Sequence, residues 1–170
     1  MHAELLVLRL VHILGGIFWL GSGVFTTFFL FPSMASAGPA AGQIMLNLTK
    51  RRLFVFLPTV AVLTILSGVR LVMIASGGFQ RDYFLLMSGK TYTLAGIAAT
   101  VAFLLSLIVA RPAAVRVGAL AQLSTTAGPG DRDRIAAEMK ALQARIKSSS
   151  IIAMLLLIFA GAGMAVARYL

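Results

Sequence analysis

The chain has 170 residues, of which 59% are hydrophobic and 12% are charged, with a mean hydropathy of +0.96. Soluble domains carry roughly 25% charged residues, so this composition indicates an integral membrane protein. The absence of cysteine excludes disulfides, thiolate metal sites and cysteine nucleophiles, and the net charge of +10 falls mostly in loops, which favours anionic lipid over nucleic acid as a partner.

Apolar segments of sufficient length to cross a membrane occur four times, at about residues 5–31, 53–75, 88–110 and 150–168. The first is far longer than a signal-peptide core, so we interpret it as a retained span. The residues between the first two spans, 32–52, are rich in Ser, Ala and Gly and are expected to form a loop. Gly77-Gly78 is expected to break the second helix before a short link to the third span.

The segment after the third span predicts a helical extension. Arg111-Pro112 marks the expected exit of the third span, although a kinked helix could continue to about Leu123. Asp131 is expected to cap an amphipathic helix over about 131–148, which runs on into the fourth span. The sequence therefore predicts one all-α domain over 1–170, an integral membrane four-helix bundle with a cytoplasmic helical extension between spans three and four.

The basic residues predict the orientation of the chain. An even number of spans places both termini on one side of the membrane. The loop after span one and the segment between spans three and four hold ten of the 15 basic residues: Lys50, Arg51, Arg52, Arg111, Arg116, Arg132, Arg134, Lys140, Arg145 and Lys147. The positive-inside rule then makes these segments cytoplasmic and both termini external, in a bacterial-type inner (plasma) membrane.

His12 is the imidazole in the apolar part of the chain. It shares one helix face with Gly15, Trp19, Gly23 and Thr26, which follow at spacings of three or four residues. An imidazole without a partner in lipid is costly, so we expect it to face other helices. Two interpretations stay open, a ligand-binding or proton-handling histidine and a structural histidine that is hydrogen-bonded between helices.

Basic residues are expected near the same depth as His12, close to the outer helix ends: Arg9, Arg70, Lys90 and Arg168. Each could instead extend to lipid head groups or anchor a helix at the interface. Trp19 is expected to pack between helices. Gly15 and Gly16 most simply allow close helix approach, and their lack of side chains could also admit a flat macrocycle.

One histidine surrounded by cations suits a haem, because iron binds the imidazole and the propionates bind Arg or Lys. His12 would be an axial ligand, with Arg9, Arg70 and Lys90 as propionate partners. The candidates for the second ligand are Met73, Met87, Met164 and His2. Copper is the alternative, since imidazole and thioethers suit Cu(I), but a ring of cations would repel a copper ion and favours the anionic macrocycle.

The stretch from Leu10 to Gly21, LVHILGGIFWLG, resembles the first span of the superfamily that contains copper resistance protein D and the HemJ-type protoporphyrinogen oxidases. Arg51-Arg52-Leu53, with Pro58 and Gly68, is similar to the second span of the HemJ-type proteins, and Gly89-Lys90 to the start of their third. The resemblance implies a membrane helix bundle, often oligomeric, that binds haem b or porphyrin, with His12 and Lys90 at the functional or catalytic site.

We therefore expect a haem-b-binding membrane protein in electron transfer or porphyrin-linked oxidation, as a homo-oligomer without a nucleic-acid partner. An oxidoreductase activity is left open. Copper transport or resistance is one alternative, and a structural or assembly subunit of a membrane complex is another.

Overall fold

The computed structural model describes residues 2–37 and 40–170, and most of these residues are helical. Four continuous helices in this part are long and apolar enough to cross a membrane, at His2–Met34, Leu53–Ala75, Met87–Ser124 and Pro129–Tyr169. The α-helices are α1 His2–Phe25, α2 Phe31–Ser36, α3 Ala40–Lys50, α4 Leu53–Ala75, α5 Arg81–Leu85, α6 Met87–Leu105, α7 Arg111–Ser124 and α8 Pro129–Val166. The prediction of an all-helical chain with four long apolar helices is confirmed.

Two of the long helices pass through a π-helical turn, Thr26–Leu30 between α1 and α2 and Ser106–Ala110 between α6 and α7. Each turn comes directly before a residue–proline pair, Phe31-Pro32 or Arg111-Pro112. Proline lacks an N–H and its ring clashes with the carbonyl one turn earlier, so the helix widens locally instead of ending. The third long helix therefore continues through Arg111-Pro112 to Ser124.

Two local predictions need correction. Much of the expected loop over 32–52 is helical, because α2 and α3 lie within it. Asp131 does not cap α8, because that helix begins two residues earlier at Pro129, with Gly128 in the N-cap position. Proline is favoured in the first helical turn, where its missing N–H would have no partner in any case. Asp131 lies in that first turn instead.

The break after the second long helix is confirmed. The helix α4 ends at Ala75, and Gly77 and Gly78 follow with φ of 63° and 93°. This left-handed region is open to glycine at little cost. The short α5 then packs against the start of α6, so closely that a Cβ at Gly89 would overlap the carbonyl oxygen of Tyr83.

The long helices pack mainly as two antiparallel pairs, which we call the first hairpin (α1 with α4) and the second hairpin (α6 and α7 with α8). In the second hairpin, α6 and α8 pack against each other through small buried side chains on both helices, among them Ala95, Ala98, Ala99, Ala102, Ala153 and Ala160. Alanines at this helical spacing let two helix backbones approach closely in an apolar medium. Trp19, Leu20 and Val24 of α1 pack against the same cluster and join the two hairpins.

In the first hairpin, α1 and α4 pack against each other through a different set of residues. No residue of α1 is buried, and the buried positions of α4 are Ala61, Thr64 and Ser67, which recur every three residues on one face. A Cβ at Gly15 would overlap Oγ1 of Thr64, so α1 and α4 approach closely at this point. The contact between these two helices therefore includes hydroxyl groups, and it is where His12 lies.

Candidate functional site

His12 lies between α1 and α4, with its ring against the backbone of Gly68. Its Nδ1 is 2.8 Å from the carbonyl oxygen of Thr64 and 3.5 Å from Oγ of Ser67. A Cβ at Gly68 would lie 2.7 Å from Cε1 of the ring, so this position has room for the imidazole only because it is glycine. The ring is half-buried and fixed in orientation by α4.

The hydrogen bond to Thr64 determines the tautomer of His12. A backbone carbonyl can only accept, so Nδ1 carries the proton and donates it to Thr64 O. In the neutral ring, Nε2 then holds a free lone pair. This nitrogen faces Sδ of Met164 in α8 at 3.4 Å. The imidazole nitrogen and the thioether sulfur, one from each hairpin, are therefore in contact.

The structure distinguishes the four candidates for a second ligand. Only Met164 places its donor atom within hydrogen-bonding distance of His12 in the described part of the chain. The sulfur of Met73 instead lies 3.5 Å from Nη1 of Arg70, and Met87 is exposed at the start of α6. His2 is exposed at the start of α1, about 15 Å along the helix from His12.

Arg70 is paired with an acid that the sequence reasoning did not assign to the site. Its Nε and Nη2 donate to Oε1 of Glu4, at 2.9 and 2.6 Å. Both side chains are nearly half-exposed. Glu4, Leu8 and His12 share one face of α1 at a spacing of four, so this periodicity, together with an antiparallel α4, could have revealed the pair. The charge of Arg70 is therefore already balanced.

The other predicted residues have separate positions. Arg9 is exposed on α1, and Lys90 is exposed on α6 beside a shallow apolar recess lined by Phe84 and Leu94. Trp19 packs edge-to-face on Phe103, with ring centroids 6.3 Å apart. None of these side chains bonds to His12 within residues 2–37 and 40–170, where its polar contacts are Thr64, Ser67 and Met164.

A haem does not fit between His12 and Met164 as they are arranged. Axial ligands lie on opposite faces of the macrocycle, which separates their donor atoms by about 4.3 Å, whereas Nε2 and Sδ are 3.4 Å apart. The expected slot beside Gly15 and Gly16 is filled by Thr64, whose Cγ2 would lie 3.9 Å from a Cβ at Gly16. Haem binding remains a prediction from the residue pattern and the family resemblance.

A single metal ion fits the same two donors. With bonds of about 2.0 Å to nitrogen and about 2.3 Å to sulfur, a 3.4 Å separation corresponds to an angle of about 105° at the metal, which is near the tetrahedral value, so an ion held there would take further ligands besides these two. A ligand histidine commonly donates its other N–H to a backbone carbonyl, as His12 does to Thr64. The described residues contain no cluster of three His, Cys, Asp or Glu.

Comparisons with known proteins add no relative to this picture: no protein-family model, no curated protein and no solved structure matches the chain.

Proposed function

We propose that this protein is a multi-pass membrane protein that binds Cu(I) between Nε2 of His12 and Sδ of Met164 and handles copper on the side of the membrane where its termini lie. The observation that supports this most directly is the 3.4 Å approach of Nε2 of His12 to the thioether sulfur of Met164, with Nδ1 of His12 donating to the Thr64 carbonyl. Imidazole and thioether together favour Cu(I) over harder ions.

The membrane assignment rests on the four long apolar helices. Their outward surfaces carry large exposed apolar side chains, among them Ile17, Val69, Ile97 and Phe159. Such surfaces are costly in water and favourable in lipid. The basic residues between spans one and two and between spans three and four then favour a cytoplasmic position for these segments, with both termini outside, in a bacterial-type inner membrane.

The charges around His12 favour a small cation more than the sequence alone predicted. A ring of cations was the reason to prefer an anionic macrocycle. Glu4 neutralises Arg70 through two hydrogen bonds, and Arg9 and Lys90 do not bond to His12 in the described residues. The electrostatic repulsion expected for a copper ion is correspondingly smaller.

Each residue has a distinct part in the proposed binding. The Thr64 carbonyl holds the Nδ1 proton and so keeps Nε2 free to donate its lone pair. Gly68 leaves room for the ring, because a Cβ at this position would lie 2.7 Å from Cε1 of His12. Met164 supplies a polarisable thioether from the other hairpin, so the ion would link α1 to α8. A site of two donors leaves positions on the ion open, which allows transfer to a partner ligand.

The test is an anaerobic Cu(I) titration of the detergent-purified full chain against a coloured Cu(I) chelator. We expect one Cu(I) per chain, with affinity lowered at least about tenfold in His12→Ala and in Met164→Leu. Met73→Leu is the matched control, because it removes an exposed thioether that does not contact His12, and it should keep the wild-type affinity.

The competing cofactor is tested on the same samples. Visible spectra are recorded before and after dithionite, on protein produced with ample haem. A stoichiometric Soret band that disappears in His12→Ala would replace the copper proposal with haem binding. Copper affinity that is unchanged in both His12→Ala and Met164→Leu would remove the proposed site altogether.

A further inference from the structure

Beyond the apolar spans, the acidic and basic residues of the second hairpin are distributed unevenly along its length. Its acidic residues, Asp131, Asp133 and Glu138, all lie in the part distant from the spans. Two of them are engaged there, in the pairs Arg116–Glu138 at 2.8 Å and Arg134–Asp131 at 3.6 Å. Towards the apolar spans only basic residues remain: Arg111 on α7, and Arg145 and Lys147 on α8.

The helix register places these basic residues within about 6 Å of one another along the helix axis. The Arg116–Glu138 pair fixes the antiparallel register of α7 and α8, so five residues nearer the spans Arg111 lies level with residue 143. That is within one turn of Arg145. All three are exposed, and none forms an ion pair in the described part of the chain.

The first hairpin contributes three more basic residues in the corresponding position, at the start of its apolar α4. Lys50, Arg51 and Arg52 occupy the junction of α3 and α4, and all three are exposed. Arg52 has φ of 57° and ψ of 25°, a left-handed conformation that glycine adopts more readily. An arginine therefore occupies a position where the backbone would favour glycine.

We infer that these six residues, the basic collar (Lys50, Arg51, Arg52, Arg111, Arg145 and Lys147), bind the phosphate head groups of anionic phospholipids in the leaflet that surrounds the helices. The inference rests on the membrane insertion proposed above and is independent of copper. Exposed Lys and Arg at the membrane surface attract anionic lipid, and Arg pairs well with phosphate oxygens.

The positions of the acidic residues favour lipid over nucleic acid as the partner of the collar. The distal part of the second hairpin, which a soluble polyanion would reach first, carries four basic residues against three acidic ones. The collar has no acidic residue within it, since the nearest along α8 is Glu138, seven residues from Arg145. The net charge of the collar is therefore +6, whereas that of the distal part is +1.

The experiment uses native mass spectrometry of the detergent-purified full chain with equal amounts of phosphatidylglycerol and phosphatidylcholine. The collar variant combines Arg111→Gln, Arg145→Gln and Lys147→Gln. The matched control combines Arg132→Gln, Arg134→Gln and Lys140→Gln, with the same loss of charge at the distal end. We expect wild type and control to retain phosphatidylglycerol at least about fivefold better than phosphatidylcholine, and the collar variant, in which half of the collar remains, to lose most of this preference.

Equal loss in both variants would show that only net charge matters and would overturn the inference, as would an unchanged preference in the collar variant. Displacement of the lipid by inorganic phosphate at constant ionic strength would also contradict it, because the site would then serve small anions. Cu(I) affinity is measured on the same variants and should equal that of wild type, so the failure of one proposal is distinguishable from the failure of the other.

Discussion

In the second hairpin α6 and α8 meet through alanines, whereas in the first hairpin α1 meets α4 through a histidine, a glycine and hydroxyl side chains. Alanine contacts are sufficient to hold helices together in lipid, because close packing alone supplies the attraction. Polar groups at the same depth add little stability and are costly when unpaired. The difference shows that the polar contacts between long helices concentrate in the first hairpin, around His12, among the residues that the structure describes.

Ala102→Leu should give the largest loss of stability, because this side chain is fully buried between α6 and α8. Three extra carbon atoms would push the two helices apart, at a cost of about 1–3 kcal/mol. Thermal unfolding in detergent measures the effect. Ala162→Leu makes the same change at an exposed position of α8 and should leave the midpoint nearly unchanged. Equal effects at both positions would contradict the packing described for this hairpin.

Gly68→Ala should have a smaller effect on stability and a large one on the site. The new Cβ would lie 2.7 Å from Cε1 of His12, and the imidazole can shift away where a backbone could not. We expect about 1 kcal/mol of destabilisation together with a loss of Cu(I) affinity comparable to that of His12→Ala. Gly16→Ala is the control, since its Cβ would be 3.9 Å from Thr64 Cγ2. Wild-type copper affinity in Gly68→Ala would show that the ring orientation is unimportant.

Glu4→Gln should have the smallest effect. Glu4 and Arg70 are both nearly half-exposed, so the ion pair contributes less than about 1 kcal/mol and is screened by salt. Removing the carboxylate leaves the Arg70 cation unbalanced on the same face of the first hairpin as His12. Cu(I) affinity should fall slightly at low salt and recover at high salt. A reduction that persists at high salt would mean that Glu4 binds the metal itself.

The sequence was sufficient for features that depend on local periodicity. The bounds of α4 were predicted at 53–75, and the break at Gly77-Gly78 follows from glycine chemistry alone. The choice of Met164 over Met73 and Met87 depends on the rotation and register of α8 against α1, which no local pattern determines. The ion pair of Glu4 with Arg70 was missed for the same reason, since it joins residues 66 positions apart.

The helices in the predicted loop over 32–52 were missed for a different reason. Its Gly, Pro and Ser residues are typical of loops, but they all lie at positions 32 to 42. The residues that follow are mostly good helix formers. The tautomer of His12 also could not be predicted from the sequence. It depends on which carbonyl the ring meets, and that contact with Thr64 is made across the first hairpin.

Copper K-edge X-ray absorption of the Cu(I)-loaded protein tests the central claim most directly. We predict one nitrogen shell from imidazole and one sulfur shell at about 2.3 Å in the wild-type protein. The sulfur shell should vanish in Met164→Leu and persist in Met73→Leu. A sulfur shell that survives Met164→Leu, or a wild-type spectrum without sulfur, would contradict the assignment of His12 and Met164 as the metal site.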